Sequence, residues 1–119
     1  SPEAIGYINA HGTATEQGDV AESIATRAVF GENVPISSLK SYMGHTLGAC
    51  GALEAWMTIE MMREDWFAPT VNLTCIDERC AGLDFIVGDG RSLQTDIVMS
   101  NNFAFGGINT SLIFKRWPR

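Results

Sequence analysis

The chain has no apolar run approaching the length of a membrane span, and no basic-then-apolar leader opens it. Its cysteines, Cys50, Cys75 and Cys80, are odd in number and stand at no framework spacing, so reduced, buried thiols in a cytoplasmic protein are expected. Positive charge is scarce as well. Eight Lys and Arg against 14 Asp and Glu give a formal net charge of −6, which argues against nucleic acid and anionic membranes as partners. Repeats, linkers and low-complexity tracts are absent, so solenoids and flexible arrays are excluded. What remains is 119 residues, 45% hydrophobic and 18% charged, enough for one domain that buries roughly two thirds of its unfolded surface. The opening, "SPEAIGYINA", reads as the middle of a domain rather than its start.

The hydrophobic pattern alternates between strand and helix. "AIGYINA" (4–10) is a short apolar run between Pro2 and a glycine turn, which predicts a buried strand. "EQGDVAESIATRAVFG" (16–31) places Val20, Ala21, Ile24, Ala25, Ala28 and Val29 on one helical face, taken as the core face, and Gly31 ends it. "PISSLK" (35–40) predicts a second strand. "TLGACGALEAWMTIEMMRED" (46–65) predicts a longer, more apolar helix, whose stripe of Gly48, Ala49, Cys50, Gly51 and Ala52 implies a close backbone or ligand approach. "FAPTVNLTCIDERCAG" (67–82) has no period and reads as a surface loop. "LDFIVG" (83–88), "DIVMSNNF" (96–103) and "TSLIFKRW" (110–117) read as strands, the last two joined by the glycine turn "FGGIN". The order β-α-β-α-β-β-β gives an α/β layered domain, a mixed sheet covered by helices.

Polar punctuation falls at the strand ends: "NAHGTAT" after the first, "KSYMGH" after the second, "SNNFAFGGIN" between the last two. Sites in α/β sheets gather where such loops converge. Each signal alone has an ordinary structural role: a satisfied histidine, a solvated Lys40, a hairpin turn, and Asp19 and Glu22 as first-turn acids favoured by the helix dipole. Two histidines, a lysine and a double glycine on converging loops point instead to one site.

Together, "NAHGTATEQGD", "LKSYMGHTLGACGALEA" and "SNNFAFGGIN" resemble the C-terminal half of β-ketoacyl-acyl-carrier-protein synthases of the I/II type, which include polyketide ketosynthases. The likeness runs from about Ile5 to Phe114. It implies a thiolase-like fold of two similar α/β halves, of which residues 1–119 form the second. It also implies decarboxylative Claisen condensation of a malonyl-carrier thioester with an acyl group held on a cysteine, in fatty acid or polyketide chain elongation. His11 and His45 would donate hydrogen bonds to the oxygen where enolate charge develops, and Lys40 would organise the site. The backbone N–H of Phe105 would serve an oxyanion hole, on a loop whose Gly106 and Gly107 allow gating. Thr13 and Thr15 would bind the pantetheine arm, with helix capping as their ordinary role. Glu22 would partner Lys40, and Asn9, Glu54, Ser100 and Asn101 match positions that hold a monovalent cation in some members; no cofactor is required.

The implied partners are acyl carrier protein with its phosphopantetheine arm, malonyl and acyl thioesters, and a second copy or related subunit in a dimer. An acidic carrier would need a local basic patch, given the net charge. The family's nucleophilic cysteine lies in the first half on a glycine-flanked turn, a setting that none of the three cysteines shares; Cys50 reads as a buried hydrophobe where relatives carry a small residue. Ala104 stands where glycine is usual, Ile108 where threonine is common, and Asn102 where serine is frequent. A non-catalytic chain-length-factor subunit is the main alternative. A zinc module of His11, His45, Cys75 and Cys80 has poor ligand spacing.

Overall fold

The computed structural model describes residues 1–80 and 82–118; Ala81, within the expected surface loop, and Arg119 lie outside them. Ten elements follow in order: β1 (Tyr7–Asn9), α1 (Glu16–Phe30), β2 (Pro35–Ser37), α2 (Lys40–Met43), α3 (Cys50–Glu64), β3 (Trp66–Phe67), β4 (Asp84–Phe85), β5 (Arg91–Ser92), β6 (Ile97–Ala104) and β7 (Ile108–Lys115). The main sheet has the order β4-β2-β1-β6-β7. Its first four strands are parallel, and β7 closes it antiparallel to β6. A separate two-stranded ribbon pairs β3 with β5. The fold is α/β with a mixed sheet, as the hydrophobic pattern predicts.

Strand periodicity divides the sheet's side chains between two cores. Tyr7 and Val98, opposite one another in the register, pack with Leu39, Phe67, Ile86 and the α3 residues Met61 and Met62. Ile8, Ile36 and Met99 point the other way, into a core closed by Val34 and by Phe30 of α1. Helices therefore cover both faces of the sheet. The same alternation puts Asn9 and Ser100 on the α3 side, where the Asn9 amide donates to Ser100 Oγ at 3.0 Å.

Several boundaries differ from expectation. The second strand ends at Ser37, because Leu39 adopts helical dihedrals and Lys40 opens the short α2. The long helix starts only at Cys50, after a 3-10 turn over Leu47–Ala49, and ends where Asp65 turns left-handed. The strand expected over 83–88 contracts to β4, whose Asp84 is held by Arg91 of β5. Arg116 fastens the end of β7 to α3, donating to the Met62 carbonyl and to Asp65 Oδ1 at 2.5 Å.

The core face assigned to α1 is wrong. The helix buries Glu22, Ser23 and Thr26, and leaves Ala21, Ile24, Ala25, Ala28 and Val29 exposed. Glu22 is drawn inward by backbone N–H groups of the loop after β1, which rotates the apolar stripe outward. Within the small-residue stripe Cys50 is buried, while a Cβ added at Gly48 or Gly51 would touch nothing within 4 Å. The cysteine expectation also needs correcting. All three are free and Cys50 is buried, but Cys75 is exposed and Cys80 half-buried, since both lie on the surface loop after β3.

Candidate active site

The loop following β1 is shaped by one glycine. Gly12 has φ of +27°, and a Cβ there would come within 2.8 Å of Ser38, whose hydroxyl donates to the Gly12 carbonyl at 2.7 Å. Only glycine suits that close approach. The Glu22 carboxylate accepts the N–H of His11 at 2.8 Å on one oxygen and that of Gly12 at 2.8 Å on the other. Burial pushes the Glu22 carboxyl above its ordinary range, while these two donors pull it back down.

This arrangement corrects the expected Glu22–Lys40 pair. Lys40 donates instead to Glu54 Oε1 at 2.6 Å, both side chains being almost wholly buried at 4% and 0% exposed. Glu22 is consumed by main-chain donors, and Glu54, entering from α3, is the carboxylate that compensates the buried ammonium.

His11 and His45 stand edge to face, with ring centroids 5.4 Å apart, and Phe103 lies 5.7 Å from His11. His45 is exposed and its Nδ1 accepts the Leu47 N–H at 3.0 Å. A neutral imidazole that accepts at Nδ1 carries its proton on Nε2, so His45 is set as an Nε2–H donor. Leu47 reaches it with a positive φ of 53°, an uncommon backbone state for a branched residue. Burial of the ring, then the charge of Lys40 and the neighbouring His45, hold His11 below the ordinary histidine range, which favours the neutral imidazole.

A cleft of about 590 Å³ opens beside this group, lined by Thr13, Thr15, Asp19, Lys40 and His45 on one side and by the loop after β3 on the other. The hydroxyls of Thr13 and Thr15 lie 3.1 Å apart. Thr15 occupies the N-cap position of α1 but its side chain makes no capping bond, its hydroxyl pairing instead with that of Thr13. Arg79 donates to Glu16, a residue of the cleft wall, at 3.0 Å and to Asp77 at 2.6 Å.

Phe105 projects fully into solvent at the β6–β7 turn. Gly106 and Gly107 have φ of +85° and +80°, and the Gly107 N–H closes the turn on the Ala104 carbonyl. Nothing crowds either glycine, and the positive φ values are what the turn requires of them. The expected cation set divides. Asn9, Glu54 and Ser100 share the α3 side of the sheet, where Glu54 Oε2 is buried without a partner. Asn101 falls on the opposite face by strand alternation, and its side-chain oxygen accepts from Ser111 at 2.7 Å. Among the described residues no cluster of three His, Cys, Asp or Glu side chains is placed to hold a metal ion.

The family model described as the C-terminal domain of beta-ketoacyl synthases matches residues 1–74. The chain belongs to the β-ketoacyl synthase family. It is 47% identical over 114 residues to 3-oxoacyl-(acyl-carrier-protein) synthase 1 of Haemophilus influenzae, a match covering 95% of this chain and 28% of that protein. A beta-ketoacyl synthase structure from Burkholderia phymatum superposes with a TM-score of 0.97 at 68% identity, covering 98% of this chain and 29% of that one. A ketosynthase solved in complex with its chain length factor, from Xenorhabdus doucetiae, gives a TM-score of 0.91 at 43% identity, covering 98% and 30%. The chain thus spans about 28% of the curated relatives it matches, and it has the thiolase-like fold of these ketosynthases. No described helix is long and apolar enough to cross a membrane.

Within this β-ketoacyl synthase domain, two features escaped sequence reading. The Leu47 amide that sets His45 carries no side-chain signal, although "GHTLG" places it two residues on. The bond from Cys50 to Asn102 joins residues 52 apart in the chain.

Proposed function

We propose that the intact protein catalyses decarboxylative Claisen condensation in fatty acid or polyketide chain elongation, and that residues 1–119 supply the half that stabilises the enolate. The observation that carries this reading is the His11–His45 pair beside the buried Lys40–Glu54 ion pair, with the His45 proton directed to Nε2 by the Leu47 amide. A malonyl thioester that loses CO₂ leaves an enolate, whose carbon attacks the acyl carbonyl and expels the cysteine thiolate. Neutral imidazole donors stabilise the enolate oxygen without having to reorganise as charge develops. The Phe105 N–H serves the acyl oxyanion, and the Gly106–Gly107 turn lets its loop swing.

Thr13 and Thr15 take the pantetheine arm in the adjoining cleft, which they line together with Ser38 and Ser41. Its owner is an acyl carrier protein, and no cofactor is needed for the chemistry. A monovalent cation fits the unpartnered Glu54 Oε2 beside Asn9 and Ser100, where it would have a structural role. The nucleophilic cysteine comes from a preceding half of the same fold. Exposed Leu112 and Ile113 on β7, Trp56 on α3 and Leu47 support such a covering half, as does the 28% share of the relatives' length. The assembly is a dimer with a second copy or a related subunit.

Intact-mass measurement after incubation with an acyl-carrier thioester tests the reading. An adduct on one cysteine, extended by malonyl-carrier, is the expected result. Carrier binding without an adduct would make the protein a non-acylating partner of the chain-length-factor kind.

A further inference from the structure

The segment from Asn72 to Cys80, beyond β3, is the outer wall of the cleft, with Leu73, Cys75, Ile76 and Cys80 lining it across from Thr13 and Thr15. Its base is well anchored. The Thr70 N–H donates to the Ile86 carbonyl at 3.0 Å, the Ser38 N–H to Thr70 Oγ1 at 2.9 Å, and the Val71 N–H to Ser41 Oγ at 2.9 Å. Asn72 then turns left-handed, with φ of +66°, and the anchoring stops. Among the described residues, every hydrogen bond of residues 72–80 closes within 70–80 except one. The exception crosses the cleft mouth: Arg79 Nη1 donates to Glu16 Oε1 at 3.0 Å.

The two side chains are 55% and 77% exposed, and an isolated pair of that kind holds little. This one is pre-organised. Asp77 Oδ1 accepts the Arg79 backbone N–H at 2.8 Å and Nε at 3.0 Å, and Oδ2 accepts Nη2 at 2.6 Å. The Arg79 side chain, more than its backbone N–H, holds the Asp77 carboxyl down to about 2, so the fork stays charged across the neutral range. Its remaining nitrogen, Nη1, is left for Glu16, the first residue of α1 and the neighbour of Thr15. One contact therefore sets how much of the time the cleft has its outer wall, and a ligand's apparent affinity falls with that fraction. We propose that the Arg79–Glu16 pair, oriented by Asp77, is the latch that holds this wall in place for the pantetheine arm of the carrier. The latch positions the wall and takes no part in bond making. The inference rests on the condensing reading above, which supplies the arm.

The test uses the intact protein with Glu16→Ala, Arg79→Ala and the two combined. KM for the malonyl carrier is expected to rise about threefold to fivefold in each, the scale of one oriented exposed pair, with condensation kcat unchanged. The double variant should be no worse than Arg79→Ala, since either change already removes the crossing contact. A second readout needs no carrier. Cys80 is half-buried on the wall, and its alkylation by iodoacetamide, mapped by peptide mass, should quicken by a similar factor in the variants and in the parent at about 1 M salt. Cys50, buried at the start of α3, should stay slow throughout. Cys80 labelling that ignores both variants and salt overturns the latch. So does faster labelling with KM within about 1.5-fold of parent, because the wall would then not serve the arm. If the parent itself takes no acyl group, the condensing reading fails and takes the assignment of the arm with it, whereas an acylating, extending parent with an insensitive KM fails this inference alone.

Discussion

Helices α1 and α3 each bury a glutamate on the side facing the sheet, and they neutralise it in different ways. Glu54 of α3 shares its buried face with Cys50, Thr58, Met61 and Met62 and meets an ammonium, that of Lys40. Glu22 of α1 meets only dipoles, the N–H groups of His11 and Gly12. The first arrangement fixes a charge at the site; the second fixes a backbone. The difference decides which residues each helix can expose. With its carboxylate matched by Lys40, α3 still turns Met61 and Met62 inward beside Thr58. With Glu22, Ser23 and Thr26 turned inward, α1 is left with Ile24 and Val29 outside, 56% and 57% exposed.

The largest effect should come from breaking the charged arrangement. Glu54→Ala leaves a buried ammonium unpaired and is expected to destabilise the intact protein by about 3–5 kcal/mol in denaturant titration. Lys40→Met combined with Glu54→Leu should recover most of that loss while condensation stays absent, which separates stability from chemistry. If the double variant is no more stable than Glu54→Ala, the pair is not the compensated unit described.

The dipolar arrangement should be less sensitive. Gly12→Ala forces a Cβ into Ser38 at a positive φ and should cost about 1–3 kcal/mol, read by the same titration. Glu22→Gln keeps the shape but turns one accepting oxygen into an N–H₂ that faces a backbone donor, for about 1–2 kcal/mol near neutral pH. Its pH dependence has a definite sign. Because burial raises the folded carboxyl above its unfolded value, the group's contribution is fullest below the unfolded pKa and is lost as pH rises through the folded one. The parent's unfolding midpoint should therefore gain on that of Glu22→Gln as pH falls from 7 toward 5. A gap that is flat or moves the other way would contradict the burial of this carboxylate.

The smallest effect is expected on the outer face of α1. Ile24→Gln should change stability by no more than about 0.5 kcal/mol, the ordinary range for a solvent-exposed site. A loss above about 1.5 kcal/mol would mean that something covers this stripe in the intact protein.

These contrasts also explain what could be read in advance. The alternation of strand and helix was legible because β1, β2 and β6 are apolar runs bounded by breakers, and Gly31 and the double glycine stop their elements by backbone dihedral alone. His11, Lys40 and His45 were legible from their motifs. The partner of Lys40 was not, since Glu22 and Glu54 are chemically identical and only the orientation of the Gly12 loop assigns one to amides and the other to the ammonium. The face of α1 was misread for the same reason: apolar periodicity marks the core only when no buried backbone donor competes for a carboxylate. Asn101 was grouped with Asn9 and Ser100 by motif, but strand alternation sends adjacent side chains to opposite faces.

The central claim is that His11 and His45 act together as donors to the enolate. It is tested most directly by malonyl-carrier decarboxylation and condensation rates in His11→Ala and His45→Ala, starting from pre-acylated intact protein. Each variant should retain the acyl group and lose at least about 100-fold in condensation, the scale of one oxyanion-type donor. Condensation at near-parental rate from either acylated variant would contradict the account.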